Sequence, residues 1–406
     1  MRILHIITTL DVGGAEMHLL SQVRGQSARG HQVRVLYLKG RGTLEDDFLS
    51  AGASHVRGVC LGLGTPARLG PHFSWADIIH SHLLKADMVT ALCTSLSGRR
   101  RRLVSGKHND EQVLRRLPVS LVHGLLGRLP ARTIVLSDHV GRFIREHGRI
   151  PGKNMRRVYY GIDPTPFEGA RAALGVEAEP GAGCRASASG GASPDAPAGD
   201  AGGGAGSDSG GAKRRNLRAS FGFKDEHVVL ICVARFAAQK AHPLLLRAFH
   251  RARESAPDLR LLLVGDDPFG DGRQRAEAVA RDLELGEACV FAGIRRDVPE
   301  LMAASEVFIM SSLWEGLGLV FLEAMCVGLP IVGSDVSAVP EVVVNGETGI
   351  LVPPGEEQPL AAAMVRVAGD AGLRQRLGAA GRERVARVFN LDRMVDETLA
   401  IYDELL

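Results

Sequence analysis

The stretch Leu313–Ser334 reads LWEGLGLVFLEAMCVGLPIVGS. Two glutamates, Glu315 and Glu323, flank a glycine-rich turn, and the apolar end LPIVGS has the pattern of a strand. Gly316 and Gly318 stand immediately before LVFLEAM, whose periodicity predicts a helix starting at the glycines. A helix start exposes unpaired N–H groups and the positive end of the dipole, which suits a phosphate. Glycine lets a ligand approach the bare backbone. On one ideal helix, eight residues rise roughly 12 Å. Carboxylate pairs that hydrolyse glycosides stand roughly 5 Å or 6.5–9.5 Å apart, so this pair is a poor acid and nucleophile dyad. A pair at this spacing also arises by chance about once in a chain of this length. Its context has to decide.

Outward from that stretch, short apolar runs alternate with helical patterns. VVLICVARF, LRLLLVGDD, CVFAGI, VFIMSS and GILVPPG read as strands in the second half. RILHIITTL, HQVRVLYLKG, ADIIHSH, RRLVSGKH and RTIVLSD read so in the first, which ends at MRRVYYGID, residues 155–163. AEMHLLSQVRGQSARG reads as an amphipathic helix closed by Gly30. Alternation of this kind predicts parallel sheets covered by helices on both faces. The fold class expected is α/β, with two Rossmann-like doubly wound domains over residues 1–165 and 216–388 and a cleft facing the carboxyl ends of both sheets. Between them, residues 176–212 are mostly Gly, Ala, Ser, Pro and Asp and are expected to be disordered. RAALGV before that stretch and LRASFGF after it look alike, as if low-complexity sequence had been inserted into one connecting helix.

The chain has 406 residues, with 45% hydrophobic and 23% charged residues and a net charge of +3. That balance is globular and does not mark a nucleic-acid binder. The six cysteines are scattered without a CxxC pair, which favours a reduced, cytoplasmic chain over a disulfide framework or zinc site. The N-terminus reads as a strand and not as a signal peptide.

Placed at the predicted strand ends, the glutamate pair fits the two ends of an elongated polar ligand with hydroxyls at both ends and negative charge between: a nucleoside diphosphate sugar. Other turns agree. In VARFAAQKAH, Arg235 and Lys240 could clamp a diphosphate. In LVGDDPFGDG, Gly265 and Asp266 could wall the nucleotide pocket, and one adjacent acidic pair assigns no metal. Gly13 and Gly14 in TLDVGGAEMH open a helix on the opposite side, though the spacing is not GxGxxG. His108 in SGKHND follows the third or fourth strand and could meet a sugar hydroxyl or phosphate oxygen. His80 and His82 would share a side, but no third zinc ligand is apparent.

In order and spacing, EGLGLVFLEAMCVGLPIVGSD, ARFAAQK, LLLVGDD, VYYGID and GGAE resemble the retaining glycosyltransferases of family 4, with the two-domain GT-B fold. The resemblance spans nearly the whole chain apart from 176–212. It implies that Glu315 contacts donor sugar hydroxyls and Glu323 the ribose, and that Arg235 and Lys240 neutralise the diphosphate. It also implies that the main chain at Gly318 and Leu319 cradles the phosphates, with Gly316 and Leu317 in the same substrate-binding turn, that Gly14 approaches from the N-terminal domain, and that His108 touches the donor sugar. A final helix within 389–406 would cross back to the N-terminal domain. The family generally needs no metal, and no cofactor is expected. The chain departs from the family pattern at Ala234 and Ala241, where glycine is usual, and at Tyr160, where asparagine is common.

The expected activity is transfer of a sugar to an acceptor hydroxyl, in cell-surface polysaccharide or glycolipid synthesis, with a carbohydrate or lipid-linked acceptor. A nucleotide-sugar epimerase or hydrolase of the same fold, or an inactive nucleotide-sugar binding module, are the alternatives. Loss of Lys240 is expected to abolish turnover and leave the fold intact. Residues 99–157 hold 15 Lys or Arg against four Asp or Glu. That basic stretch, with VLRRLPVSLVHGLLGRL, suggests peripheral attachment to an anionic membrane at the inner face of the cell membrane.

Overall fold

Why the chain makes two sheets is visible in its strands. The first seven are β1 Arg2–Ile7, β2 Gln32–Tyr37, β3 Ala53–Gly58, β4 Ile78–His82, β5 Leu103–Lys107, β6 Arg132–Val135 and β7 Met155–Arg157. In this computed structural model, which describes residues 1–96, 98, 102–176, 206–268 and 270–406, they form one parallel sheet in the order 3-2-1-4-5-6-7. The second sheet holds β8 Val228–Val233, β9 Leu259–Val264, β10 Cys289–Gly293, β11 Val307–Met310, β12 Ile331–Ser334 and β13 Gly349–Val352, in the order 10-9-8-11-12-13. Both are doubly wound, as expected. β1, β4 and β5 are buried almost throughout, because helices cover both faces of a parallel sheet. Strand β3 was not expected. It lies at the sheet edge, and its sequence ASHVRG is largely polar.

In each sheet the strand order reverses once, between β1 and β4 and between β8 and β11. A crevice opens beyond the strand ends at such a reversal, and ligands bind there in open α/β sheets. The turns after β1, β8 and β11 stand at these reversal points, and those holding His108 and Gly265, after β5 and β9, stand one strand away.

The polypeptide passes between the domains twice, and the two passages lie side by side. Ile162 N–H donates to the Phe389 carbonyl at 2.9 Å, and Ile162 pairs with Asn390 as an isolated parallel bridge. A Cβ on Gly161 would stand 2.6 Å from the Asn390 carbonyl oxygen, so a side chain there would part the strands. Helix Leu391–Asp403 then crosses onto the N-terminal domain. It packs Met394, Val395, Leu399, Ile401 and Tyr402 into the core beneath one face of the first sheet, against helix Gly14–Ala28. A Cβ on Gly25 would meet Val395 at 2.5 Å, so glycine there permits this close packing.

Helix Gly206–Ala219 occupies the last part of the stretch expected to be disordered, which corrects that expectation for residues 206–212. Arg218 explains the order: it is buried, and its guanidinium bonds Glu306 at 2.8 Å and the His227 carbonyl at 2.6 Å. Residues 177–205 lie outside the described residues. Among the described residues five cysteines are free; Cys60 is exposed, and Cys93, Cys232, Cys289 and Cys326 are buried.

Candidate active site between the two sheets

At the reversal point of the second sheet, the loops after β8 and β11 are tied together. Leu313 N–H donates to the Gln239 carbonyl at 2.8 Å, and Gln239 Nε2 donates to the Trp314 carbonyl at 2.6 Å. This brings Lys240 to Glu315: Nζ lies 2.5 Å from Oε1, with side chains 12% and 6% exposed. Ser312 Oγ donates to the same carboxylate oxygen at 2.6 Å. Lys240 therefore meets Glu315 directly, and the two groups assigned to diphosphate and sugar form one largely buried pair.

The glycine turn has a definite shape. Gly318 adopts φ +83°, a left-handed conformation that disfavours a side chain, and serves as N-cap of helix Leu319–Val327. No side chain caps that helix, and its first turn holds no acidic residue, so its N-terminal amides stay available to an anion. Leu317 is buried, leaving only its main chain for a ligand. Glu323 lies within this helix, half-buried. Burial pushes its carboxyl up to about 7.

The N-terminal domain closes on this turn. A Cβ on Gly316 would stand 2.4 Å from the His108 carbonyl oxygen and 2.8 Å from Asn109 Oδ1. One on Gly14 would touch Leu319 Cδ1 at 4.0 Å. Beside them Glu341, from the second domain, accepts the N–H groups of Asp138 and His139 at 2.8 and 2.7 Å. A carboxylate at the start of helix Asp138–Glu146 is favoured by its dipole.

Three assignments change in detail. His108 follows the fifth strand, because β3 precedes it. Its ring does not offer a free nitrogen: Nδ1 meets the Tyr160 hydroxyl at 2.6 Å and Nε2 meets His82 Nδ1 at 3.0 Å. Its main-chain carbonyl faces the Gly316 turn instead. Gly13 caps helix Gly14–Ala28, but the Glu16 carboxylate covers it; a Cβ on Gly13 would lie 2.6 Å from Glu16 Oε2. An anion reaching those amides must displace it. His80 and His82 do have a third histidine near them: His5, with all three donor atoms within 4.8 Å of one another.

Gly265 has a packing reason of its own. It adopts φ +155°, and a Cβ would stand 2.0 Å from the Ala234 carbonyl oxygen. Asp266 is exposed beside that loop; its carbonyl accepts Phe236 N–H at 2.7 Å, and its carboxylate accepts the neighbouring Asp267 N–H. Arg235 is exposed at the end of β8. Its charge is felt by Glu16, across the cleft. Burial raises the Glu16 carboxyl, while a 2.5 Å hydrogen bond from Thr9 and the Arg235 charge oppose that rise. The sequence reading quoted Glu16 but gave it no role. The signal was available: a carboxylate two residues after a glycine pair, in the first turn of a helix that opens on the cleft.

Family comparison decides what this geometry belongs to. The model described as Glycosyltransferase Family 4 matches residues 12–165, and the one described as Glycosyl transferases group 1 matches residues 213–384. The chain belongs to glycosyltransferase family 4. This family 4 chain is 31% identical over 191 residues to N-acetyl-alpha-D-glucosaminyl L-malate synthase of Bacillus anthracis, covering 47% of the chain and 49% of that relative. It is 33% identical over 178 residues to a GDP-mannose-dependent phosphatidylinositol monomannoside mannosyltransferase of Mycolicibacterium smegmatis, 42% of the chain and 46% of the relative. These matches span about half the length of each curated relative. Among solved structures, Anabaena HepE in complex with UDP and glucose superposes with a TM-score of 0.80 at 20% identity, covering all of both chains. That likeness shows the GT-B fold.

Proposed function

We propose that this chain is a retaining glycosyltransferase that moves a sugar from a nucleoside diphosphate sugar to an acceptor hydroxyl. The observation that carries the reading is the Lys240–Glu315 pair beside the uncapped Gly318 turn, set at a sheet reversal point and faced by the other domain. Glu323 takes the ribose hydroxyls and Glu315 those of the sugar. Arg235, Lys240 and the start of helix Leu319–Val327 stabilise the departing diphosphate, an electrostatic effect strong in a site closed to water. Holding donor and acceptor in one cleft replaces an encounter by a positioned reaction. The acceptor attacks from the leaving-group side: its oxygen forms the new bond to the anomeric carbon as the bond to phosphate breaks, and a phosphate oxygen takes its proton. UDP and UDP-glucose complexes of HepE support a nucleotide-sugar donor. The reaction runs without a metal ion, so a chelator should leave turnover unchanged.

A thermal-shift screen of nucleotide sugars identifies the donor, because a bound ligand raises stability by mass action. Incubating that donor with and without acceptors separates transfer from hydrolysis and epimerisation; NMR of the product anomer reads the stereochemistry. Donor binding without turnover across all acceptors would leave a binding module and end the transferase reading.

The cell-surface role and membrane attachment form the finer part of the proposal. Among the described residues no helix is long and apolar enough to cross a membrane. Helix Leu117–Leu126 does expose Leu117, Leu121, Val122 and Leu125, and the neighbouring helix Leu84–Leu96 exposes Leu92 and Leu96. Arg102, Arg115, Arg116 and Arg128 stand in the same part of the chain. Basic groups around exposed leucines suit an anionic bilayer and a lipid-linked acceptor. Vesicle sedimentation tests this: binding to anionic vesicles at low salt, lost at high salt, supports it, and no binding at low salt removes it.

A further inference from the structure

Beneath the cleft, in the core of the N-terminal domain, lies a run of buried polar side chains that the reaction above does not use. It begins on the C-terminal helix. The Thr398 hydroxyl has one proton, and the Met394 carbonyl 2.8 Å away can only accept it. Thr398 Oγ1 must then receive a proton from its other partner, Gln22 Nε2 at 2.9 Å. With its amide so turned, Gln22 presents Oε1 to Gln26 Nε2 at 3.2 Å, and Gln26 presents Oε1 to His5 Nε2 at 2.9 Å. An amide oxygen accepts only, so His5 carries its proton on Nε2.

Burial keeps the next three rings neutral: His5 is lowered to about 4, His82 well below its ordinary value and His108 to about 3. A neutral imidazole has one N–H and one bare nitrogen. His5 Nδ1 is therefore bare and takes the N–H of His82 Nε2 at 2.9 Å. His82 Nδ1 is then bare and takes the N–H of His108 Nε2 at 3.0 Å. His108 Nδ1 is left to accept from the Tyr160 hydroxyl at 2.6 Å. Every direction follows from one main-chain carbonyl on the last helix. Gly106 makes room for the rings, since a Cβ there would lie 3.0 Å from His108 Nε2 and His80 Nε2.

We propose that Gln22, Gln26, His5 and His82 are positioning residues, which hold the His108 ring as its Nε2–H tautomer and make the placing of the His108–Asn109 main chain against Gly316 depend on the docking of helix Leu391–Asp403. The functional consequence rests on the reading of that cleft as the donor site; the tautomer does not. Tyr160, which departs from the family pattern, ends the chain and stacks on His18 at 3.9 Å between ring centroids. Its hydroxyl donates to His108.

The test uses the full chain labelled with ¹⁵N-histidine, with ring signals assigned by single substitutions. His5, His82 and His108 should all show the Nε2–H tautomer. Thr398→Val, in the C-terminal helix and not among the residues assigned to the donor, removes both the acceptor and the fixed direction; it should mix the His108 tautomers and lower kcat/KM severalfold. Thr398→Ser should restore both. Wild-type His108 protonated at Nδ1, or a Thr398→Val spectrum unchanged at His108, overturns the proposal. So does stoichiometric zinc held by His5, His80 and His82, because an ion there would take the lone pairs that the chain uses. The spectra need no sugar transfer, so a chain that shows the tautomers but no turnover upholds the positioning network and sinks only the transferase reading.

Discussion

Lys240 cannot be removed without consequence for Glu315, whose carboxylate would be left buried and unpaired. Breaking a buried pair from one side costs about 3–5 kcal/mol. Lys240→Ala is thus expected to lose turnover and also to unfold at lower urea, in contrast to the sequence expectation of an intact fold. The double variant Lys240→Met with Glu315→Leu should recover most of the stability and none of the activity; urea melts alongside assays show both. Glu323 gives a pH signature. Its folded carboxyl sits at about 7 against an ordinary 4.5. The folded state holds that proton where the unfolded chain has lost it, so stability is greatest below the lower value and falls as pH rises through the higher one. Glu323→Gln should flatten that fall. Hydroxyls donating to the carboxylate would draw the proton off, so donor binding should tighten as pH passes 7, with proton release seen by calorimetry in two buffers. Ala241 offers a gain. It adopts φ +50° and ψ 43°, the left-handed region, at a position where the family usually has glycine. Ala241→Gly should raise stability by about 1 kcal/mol, read from the same melts.

At the scale of elements, the turn around Gly316 is set by its fit to the other domain. Gly316→Ala would place a methyl 2.4 Å from the His108 carbonyl oxygen. The domains would have to part, and kcat/KM should fall roughly 10²-fold, as misplacement by an ångström can cause, while the melting temperature holds. Equal losses of activity and melting temperature would instead assign Gly316 to folding. The legibility of such elements from sequence was uneven, for physical reasons. Strands buried on both faces, such as VVLICV and VFIM, are continuous apolar runs and were read directly. The edge strand ASHVRG and the three-residue strand MRR have no such run. Helix Gly206–Ala219 was missed at its start because GSDSGG has no apolar period; its order comes from Arg218 reaching Glu306, a contact 88 residues away. The glycine turn with Glu315 was legible because close approach to a ligand demands residue types. The ring partners of His108 were not, because Tyr160 and His82 reach it from a distant turn and another strand, and His5 joins only through His82.

For the whole molecule, the decisive feature is that helix Leu391–Asp403, which follows the second domain, packs into the core of the first. The last helix supplies a full side of the N-terminal core, and its charges reinforce the seat: Arg29 bonds Asp396 at 2.8 Å and Asp392 at 3.0 Å. Ending the chain at Asn390 should therefore destabilise the first domain, which is remote in sequence, more than the second. Hydrogen exchange would show it as lost protection in helix Gly14–Ala28, with β8 and β11 unchanged. The same return passage lies beside the outgoing one at Ile162, so both chain crossings between the lobes sit at one place. Synthesis meets this arrangement in order. A domain ordinarily settles once its own stretch of chain has been made, yet here the groove along helix Gly14–Ala28 must wait, apolar and open, until residue 403 has left the exit tunnel.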